Sequence, residues 1–381
     1  MRADVVSLTE RLVSVDTAPG CATRAFVHDL AAQLRADGAH VGVQAGSLDG
    51  LAQGNLVARF GGDGEAGLVL AGHLDTVPWN ASQRATITPE RDARRLYGRG
   101  TCDMKGALAA QWEAVVERAD KLRRPVLLAW TWGEEVGCHG AKALTAEPEL
   151  LGPIQEAVAL VGEPTDLRAI TAHKGYLILR IELHGEPAHS SDPWAGVDAS
   201  VGLAILLRDL HELRESLRRE GEEHGDARHQ PPGTTLNTGL VQAGSARNIV
   251  PERAELIVEL RPVAEQDGAE LRRRVDACVE LACASVPGLR ATLHEVEDNP
   301  AFAQPHEHRL VQWLQERLGS PPGAVPFYTE AELYRRGFHL PVVVCGPGSI
   351  ANAHRVDESV SFDELAAGQA LYGDALEAFC G

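Results

Sequence analysis

VLLAWTWGEEVG, residues 126–137, joins an unbroken apolar run to two adjacent carboxylates, Glu134 and Glu135. The run has the length and composition of a strand buried on both faces, as in a parallel sheet. Two neighbouring carboxylates repel each other at neutral pH. Either the strand has ended in a solvated turn, or one carboxylate binds a metal while the other moves a proton.

Other runs repeat the pattern. LVLAGHL at 68–74, AVALV at 157–161 and PVVVCG at 341–346 read as further buried parallel strands, with helical patterns between and around them. After Asp103, the residues Leu108, Trp112, Val115, Val116 and Ala119 share one helical face, and Asp103 stands where an N-cap belongs. At the N-terminus Val5, Leu8, Leu12 and Val13 form a helical stripe among charges, which reads as an amphipathic helix and not a signal peptide. Strands alternating with helices imply an open α/β sheet.

The middle of the chain differs. YLILRIELH at 176–184 and ERAELIVELR at 252–261 alternate with period two, as strands with one wet face do. Helical patterns at about 197–219 and 267–285 accompany them, and the charged EGEEHGDARHQPPG, 220–233, reads as a loop. The expected architecture is an α/β open-sheet domain, residues 1–175 and 298–381, interrupted by a smaller α+β domain at 176–297 with an antiparallel sheet and two helices.

Composition narrows the function. The 381 residues carry 36 basic and 54 acidic side chains, a net charge of −18. Without a basic stripe, such a chain is a poor partner for nucleic acid or an anionic membrane. It suits an enzyme of small molecules, including cationic ones. No apolar run approaches the roughly 18 residues of a membrane span. Seven scattered cysteines, with no CxxC pair, point to a reducing cytoplasm. Adjacent Cys138 and His139 rarely meet in catalytic geometry.

In open α/β sheets ligands bind beyond the carboxyl ends of the strands. His73 and Asp75 follow strand 68–74, Glu134 and Glu135 follow 126–132, Glu163 follows 157–161 and His354 follows 341–346; Asp103 opens a helix. Each taken singly is most simply a turn residue, a surface residue or a cap. Gathered on one rim they would repel without cations between them, and the set suits two divalent metals sharing a carboxylate. Zinc fits the ligand types, with cobalt and manganese close behind. His73 and Asp75 lie on one side of an extended strand, so Asp75 is placed to accept the second ring N–H of His73.

AGHLDTVP, GRGTCDMKG, WGEEVG, VGEPT, GEPAHSSDPWAGVDAS, ARNIVPE and GPGSIANAHRVDE, in this order, resemble the M20 family of di-zinc metallopeptidases and amidohydrolases. AHKG at 172–175, HSSDP at 189–193 and YTEA at 328–331 resemble its acetylornithine deacetylase branch. The resemblance implies two metal ions, with His73 and Glu163 on one, Glu135 and His354 on the other, and Asp103 bridging, followed by a peptide bond that is cis in relatives. It implies Glu134 and Asp75 as catalytic residues, Glu134 being the general acid/base. It implies His189 as a donor to the scissile carbonyl, in many relatives across a dimer interface, within an inserted domain serving as lid and dimerisation domain. Asn248, Arg261 and Thr329 match positions that grip the substrate carboxylate. The implied activity is hydrolysis of an N-acyl amino acid, foremost N-acetyl-L-ornithine, by a cytoplasmic homodimer. Acetylcitrulline, succinyl-diaminopimelate and broader aminoacylase or dipeptidase substrates are alternatives, and a catalytically silent binding homologue is an alternative of another class. Glu330 and Glu332 are expected to offer a negative field to a cationic substrate side chain.

Overall fold

The computed structural model describes residues 4–381, so the first three residues of the N-terminal stretch lie outside the description. The chain divides into two compact units. The first comprises the chain up to Thr171 together with Gln304–Gly323 and Thr329–Gly381; the second comprises Ala172–Ala303 and Ala324–Tyr328.

In the first unit, the apolar runs form the middle of one sheet. Strand Leu68–His73 pairs in parallel with Val126–Thr131 on one side and Val158–Pro164 on the other. Val342–Gly346 pairs in parallel with Val158–Pro164. Every residue of these four strands is buried. That two-sided burial is why they read as continuous apolar runs instead of alternating ones. The sheet is mixed, because Leu51–Phe60 runs antiparallel to Val126–Thr131 and His40–Leu48 runs antiparallel to Leu51–Phe60.

Leu68, Leu70, Val126, Leu128, Trp130, Val158 and Leu160 share one core with side chains from helices Val5–Val13, Lys105–Val116 and Phe362–Cys380. Burying each such leucine contributes about 1.5–3 kcal/mol. Helix Lys105–Val116 differs from the expected one-sided stripe, since Lys105 to Val115 are all buried. It lies under Val5–Val13 as well as beside Phe362–Cys380, so it has no wet face. A Cβ on Gly106 would stand 2.4 Å from the Thr101 carbonyl oxygen, so only glycine lets the loop approach the start of this helix. Asp103 does not cap it. The N-cap position falls to Met104 and carries no side-chain hydrogen bond, and the Asp103–Met104 peptide is cis.

The second unit is an antiparallel sheet in the order Thr235–Ala243, Arg253–Arg261, Tyr176–His184, Arg290–Asn299. Tyr176–His184 and Arg253–Arg261 alternate between half-buried and buried positions along their whole length after the first residue of the latter. Their buried sets, Leu177 to Leu183 and Ala254 to Leu260, pack on helices Ala199–His224 and Gly268–Ser285. A one-residue slip would turn both sets into water, so the pattern itself sets the register. Asp198 and Asp267 cap the two helices through the N–H groups of Ser200 and Ala269.

The first of these helices runs to His224, past the expected start of the loop at residue 220. Arg218 bridges to Glu215 and Glu222 on its surface, and Gly221 packs on Gly233, where an added Cβ would lie 2.5 Å from the Gly233 Cα. Paired charges at helical spacing and this close backbone contact extend a segment whose composition alone suggests a loop.

Candidate metal centre

The carboxyl ends of the parallel strands carry the expected side chains, all within the first unit. His73 closes its strand. Its Nε2 lies 3.2 Å from Asp103 Oδ1 and 3.7 Å from Glu163 Oε1. His354 Nε2 lies 3.1 Å from both Asp103 Oδ2 and Glu135 Oε1. Among the described residues, two groups could each hold a cation with ligand atoms within 4.8 Å of one another: His73, Asp103 and Glu163, and Asp103, Glu135 and His354. Asp103 belongs to both and offers one oxygen to each histidine.

The fit to cations rests on electrostatics and on one orphan atom. Glu163 Oε1 is buried without a hydrogen-bond partner; the His73 nitrogen at 3.7 Å is too far to donate. A buried, unpaired carboxylate oxygen is costly unless something positive meets it. Burial pushes the Glu163 carboxyl well above the usual carboxylate range, and the charge of Asp103 pushes it further. Burial opposes ionisation of Asp103 too, yet hydrogen bonds from His354 and His73 hold its carboxyl well below that range. The hydrogen bonds of Asp103 and Glu135 raise His354 to about 10. Burial works against a charged His73, but the Glu163 charge and the Asp103 hydrogen bond raise it well above the usual histidine value. The field that draws protons to these rings would equally hold divalent cations.

The tautomer of His73 suits a ligand. Its Nδ1 lies 3.0 Å from the main-chain carbonyl oxygen of Asp75, which can only accept. In the neutral ring that a cation would meet, the proton therefore sits on Nδ1 and the Nε2 lone pair faces Asp103 and Glu163. This corrects the expectation for Asp75. Its carboxylate stands 3.6 Å from Nδ1 and accepts instead from the backbone N–H groups of Glu134 and Glu135, each at 3.1 Å.

The turn after strand Val126–Thr131 is built to present those two residues differently. Gly133 takes φ +69°, which glycine adopts freely. Gly137 and Cys138 then donate back to the Glu134 carbonyl. Glu135 joins the second ligand group, whereas Glu134 belongs to neither. Burial raises the Glu134 carboxyl well above its usual range, against the pull of His73 and with the charges of Glu135, Glu330 and Asp75 adding to the rise. A carboxyl that readily holds a proton beside a metal centre is equipped for acid–base work. The Cys138 thiol is buried and pushed well up, and the His139 ring stacks on Trp132, so these two form no nucleophilic pair. All seven cysteines are free, and no helix among the described residues is long and apolar enough to cross a membrane.

The remaining expected residues fall elsewhere. His189, Asn248 and Arg261 belong to the second unit. There a bridge between His189 and Ile249, with Ser190 N–H donating to the Asn248 carbonyl at 3.1 Å, brings the two motifs side by side. His189 Nδ1 accepts from the Ser191 backbone N–H at 3.2 Å, which leaves the ring proton of the neutral form on Nε2, as a donor. Arg261 is held by Glu259 and lies over the Tyr176 ring, 5.1 Å from its centroid.

Thr329, expected at the substrate carboxylate, is buried in the first unit, and its hydroxyl accepts from the Ala331 N–H. Glu330 and Glu332 are fully buried as well. Glu332 is paired with Arg335 and Arg336, and Glu330 accepts from Thr131 Oγ1 at 2.5 Å. Helix Ala331–Gly337 turns Glu332 inward, with Glu330 buried at its N-cap, and a seven-residue helix gives too little periodicity to show that beforehand.

Known proteins resemble this chain throughout. The profile of the family described as Peptidase family M20/M25/M40 matches residues 69–378. An acetylornithine deacetylase of Myxococcus xanthus is 34% identical over 335 residues, 87% of this chain and 86% of its own. One from Pectobacterium carotovorum is 32% identical over 378 residues, 98% of this chain and 95% of its own. Among solved structures, a tripeptidase from Staphylococcus aureus superposes with a TM-score of 0.76 at 22% identity, covering 98% of both chains, a likeness of fold.

Proposed function

The chain belongs to peptidase family M20/M25/M40 and is a metallohydrolase of amide bonds, and from that premise we propose that it hydrolyses N-acetyl-L-ornithine to L-ornithine and acetate. The observation that carries the chemistry is the pair of ligand groups sharing Asp103, with Glu134 beside them and outside both. The substrate rests on the relatives, acetylornithine deacetylases at 32–34% identity along most of the chain.

His73, Asp103 and Glu163 would hold one divalent ion and Asp103, Glu135 and His354 the other, zinc by the mixture of imidazole and carboxylate ligands. Such ions, when bound, polarise an amide carbonyl and make water a stronger acid. Glu134 takes a proton from the attacking water and returns it to the departing amine nitrogen, so that one water is consumed and one amide bond is cleaved. Asp75 fixes the backbone of Glu134 and Glu135. His189 supplies Nε2–H to the developing oxyanion, the role its motif implies. Asn248 and Arg261 take the substrate carboxylate, with Arg261 exchanging Glu259 for it.

We further assign a homodimer paired through the second unit. Strand Thr235–Ala243 lies at the edge of that sheet and exposes Leu240 and Val241. The deciding experiment is a turnover panel of acetylornithine, acetylcitrulline, succinyl-diaminopimelate and a dipeptide. The highest kcat/KM is expected for acetylornithine. Faster turnover of another member overturns the substrate assignment, and no turnover of any overturns the reading as a whole.

A further inference from the structure

His354 lies in a loop, in a left-handed conformation at φ +60°. Four residues later, Glu358 is almost fully buried. Its Oε1 accepts three main-chain N–H groups, from Gly100 and Cys102 at 3.0 Å and Asp103 at 3.1 Å. Its Oε2 accepts from Arg99 Nη1 at 2.5 Å, and Arg99 is itself buried and donates to the Arg355 carbonyl at 3.2 Å. The Gly98 N–H donates to the Glu358 carbonyl at 3.1 Å, and the Cys102 thiol lies 3.2 Å from the Ser349 carbonyl. The loop leading to Asp103 is thus folded around one carboxylate borne by the segment of His354. Gly100, at φ +86°, makes the turn that aims these amides inward.

We propose that Glu358 is the positioning residue of the metal centre, setting the carboxylate of Asp103 against the imidazole of His354 before any cation arrives. The proposal rests on the reading of Asp103, Glu135 and His354 as ligands.

The two ligand groups depend on Glu358 unequally. His73 and Glu163 stand on strands Leu68–His73 and Val158–Pro164, which pair directly, so the sheet holds them. Asp103 and His354 stand on loops, and the His354 side chain is 49% exposed. Glu358 with Arg99 is the buried connection between those loops. Removing it should loosen the Asp103, Glu135 and His354 group most and the His73, Asp103 and Glu163 group least. Partners that orient ligands from behind typically change metal affinity 10–100-fold.

The test is titration of zinc into metal-free protein by calorimetry, with folding followed by circular dichroism. Wild type is expected to bind two equivalents. Glu358→Ala should weaken the second equivalent about 100-fold and leave the first within about threefold, while Glu358→Gln, which keeps an acceptor oxygen for the loop, should weaken the second about 10-fold. A role confined to stability would lower the melting temperature and leave both affinities of the folded protein alone. Wild-type affinity for the second equivalent in folded Glu358→Gln, or equal weakening of both equivalents, overturns the proposal. If Glu358→Ala does not fold, Glu358→Gln alone decides. Wild type binding fewer than two equivalents instead overturns the underlying reading of the metal centre.

Discussion

The carboxylate of Asp75 grips the main chain of Glu134, and with it that of Glu135, through two N–H donors at 3.1 Å. One side chain at the end of the His73 strand thereby sets the angle at which the two glutamates leave theirs. Replacing one oxygen by an amide NH2 would turn one of those contacts repulsive. Asp75→Asn should therefore lower kcat by about 10–100-fold with metal content unchanged, as removal of a group that orients others does. Metal analysis beside steady-state kinetics checks this. Loss of metal before loss of kcat would mean that Asp75 acts chiefly through the ligand Glu135.

Removal of metal should abolish turnover, and zinc or cobalt should restore it, because the buried carboxylates of the two ligand groups need a counter-charge to work as a unit. Full activity in protein shown by elemental analysis to be metal-free would end the metallohydrolase mechanism for this chain.

Glu134→Gln should leave both metals and the fold in place while reducing kcat by about 10²–10⁴-fold or more, the range of a lost general acid/base. Glu135→Gln should lose metal. If the metal analysis gives the opposite pattern, the roles of the two neighbours are exchanged.

Glu330 gives a pH prediction. Burial raises this carboxyl to about 7, while the hydrogen bond from Thr131 works against the rise. The folded protein therefore holds the proton more tightly than the unfolded chain. Its contribution to stability is complete below about 4.5, the unfolded value, and is lost as pH rises through about 7. Glu330→Gln mimics the protonated form and removes this loss. In metal-free protein it should add about 3 kcal/mol at pH 8 and nearly nothing at pH 4, from a shift of about 2.5 units at 1.36 kcal/mol each. Urea unfolding at the two pH values measures the difference. Equal stability of the two proteins at pH 8 would show that the carboxyl ionises in place without cost.

His189→Ala should depress kcat with metal content unchanged, since a donor aimed at the oxyanion acts in the transition state. Mixed with Glu134→Gln protomers, it should regain activity in dimers where His189 serves the partner's site. No regain in demonstrated mixed dimers places His189 in cis.

The sequence by itself determined the elements and the chemical identity of the rim. Runs such as VLLAWT report two-sided burial, and YLILRIELH reports a one-sided sheet, because hydrophobic period follows backbone geometry within a few residues. His73, Glu134, Glu135, Glu163 and His354 were legible as one rim because strand ends of such a sheet share one edge, while the family resemblance added Asp103 and separated Glu135 from Glu134. Partners distant along the chain were not legible. Asp75 turns from the ring of His73 to amides 59 and 60 residues away, and Glu358 reaches a loop 255 residues before it. Motif and charge point Thr329, Glu330 and Glu332 at a substrate, and their burial shows only once the short helix Ala331–Gly337 and the residues before it are packed against their neighbours. A side chain's hydrogen-bond partner is chosen by which backbone groups are left unpaired where two distant segments pack. Only the tertiary structure creates that vacancy, so only it decides which carboxylates face one another across the rim, which hold backbone and which are buried as acids.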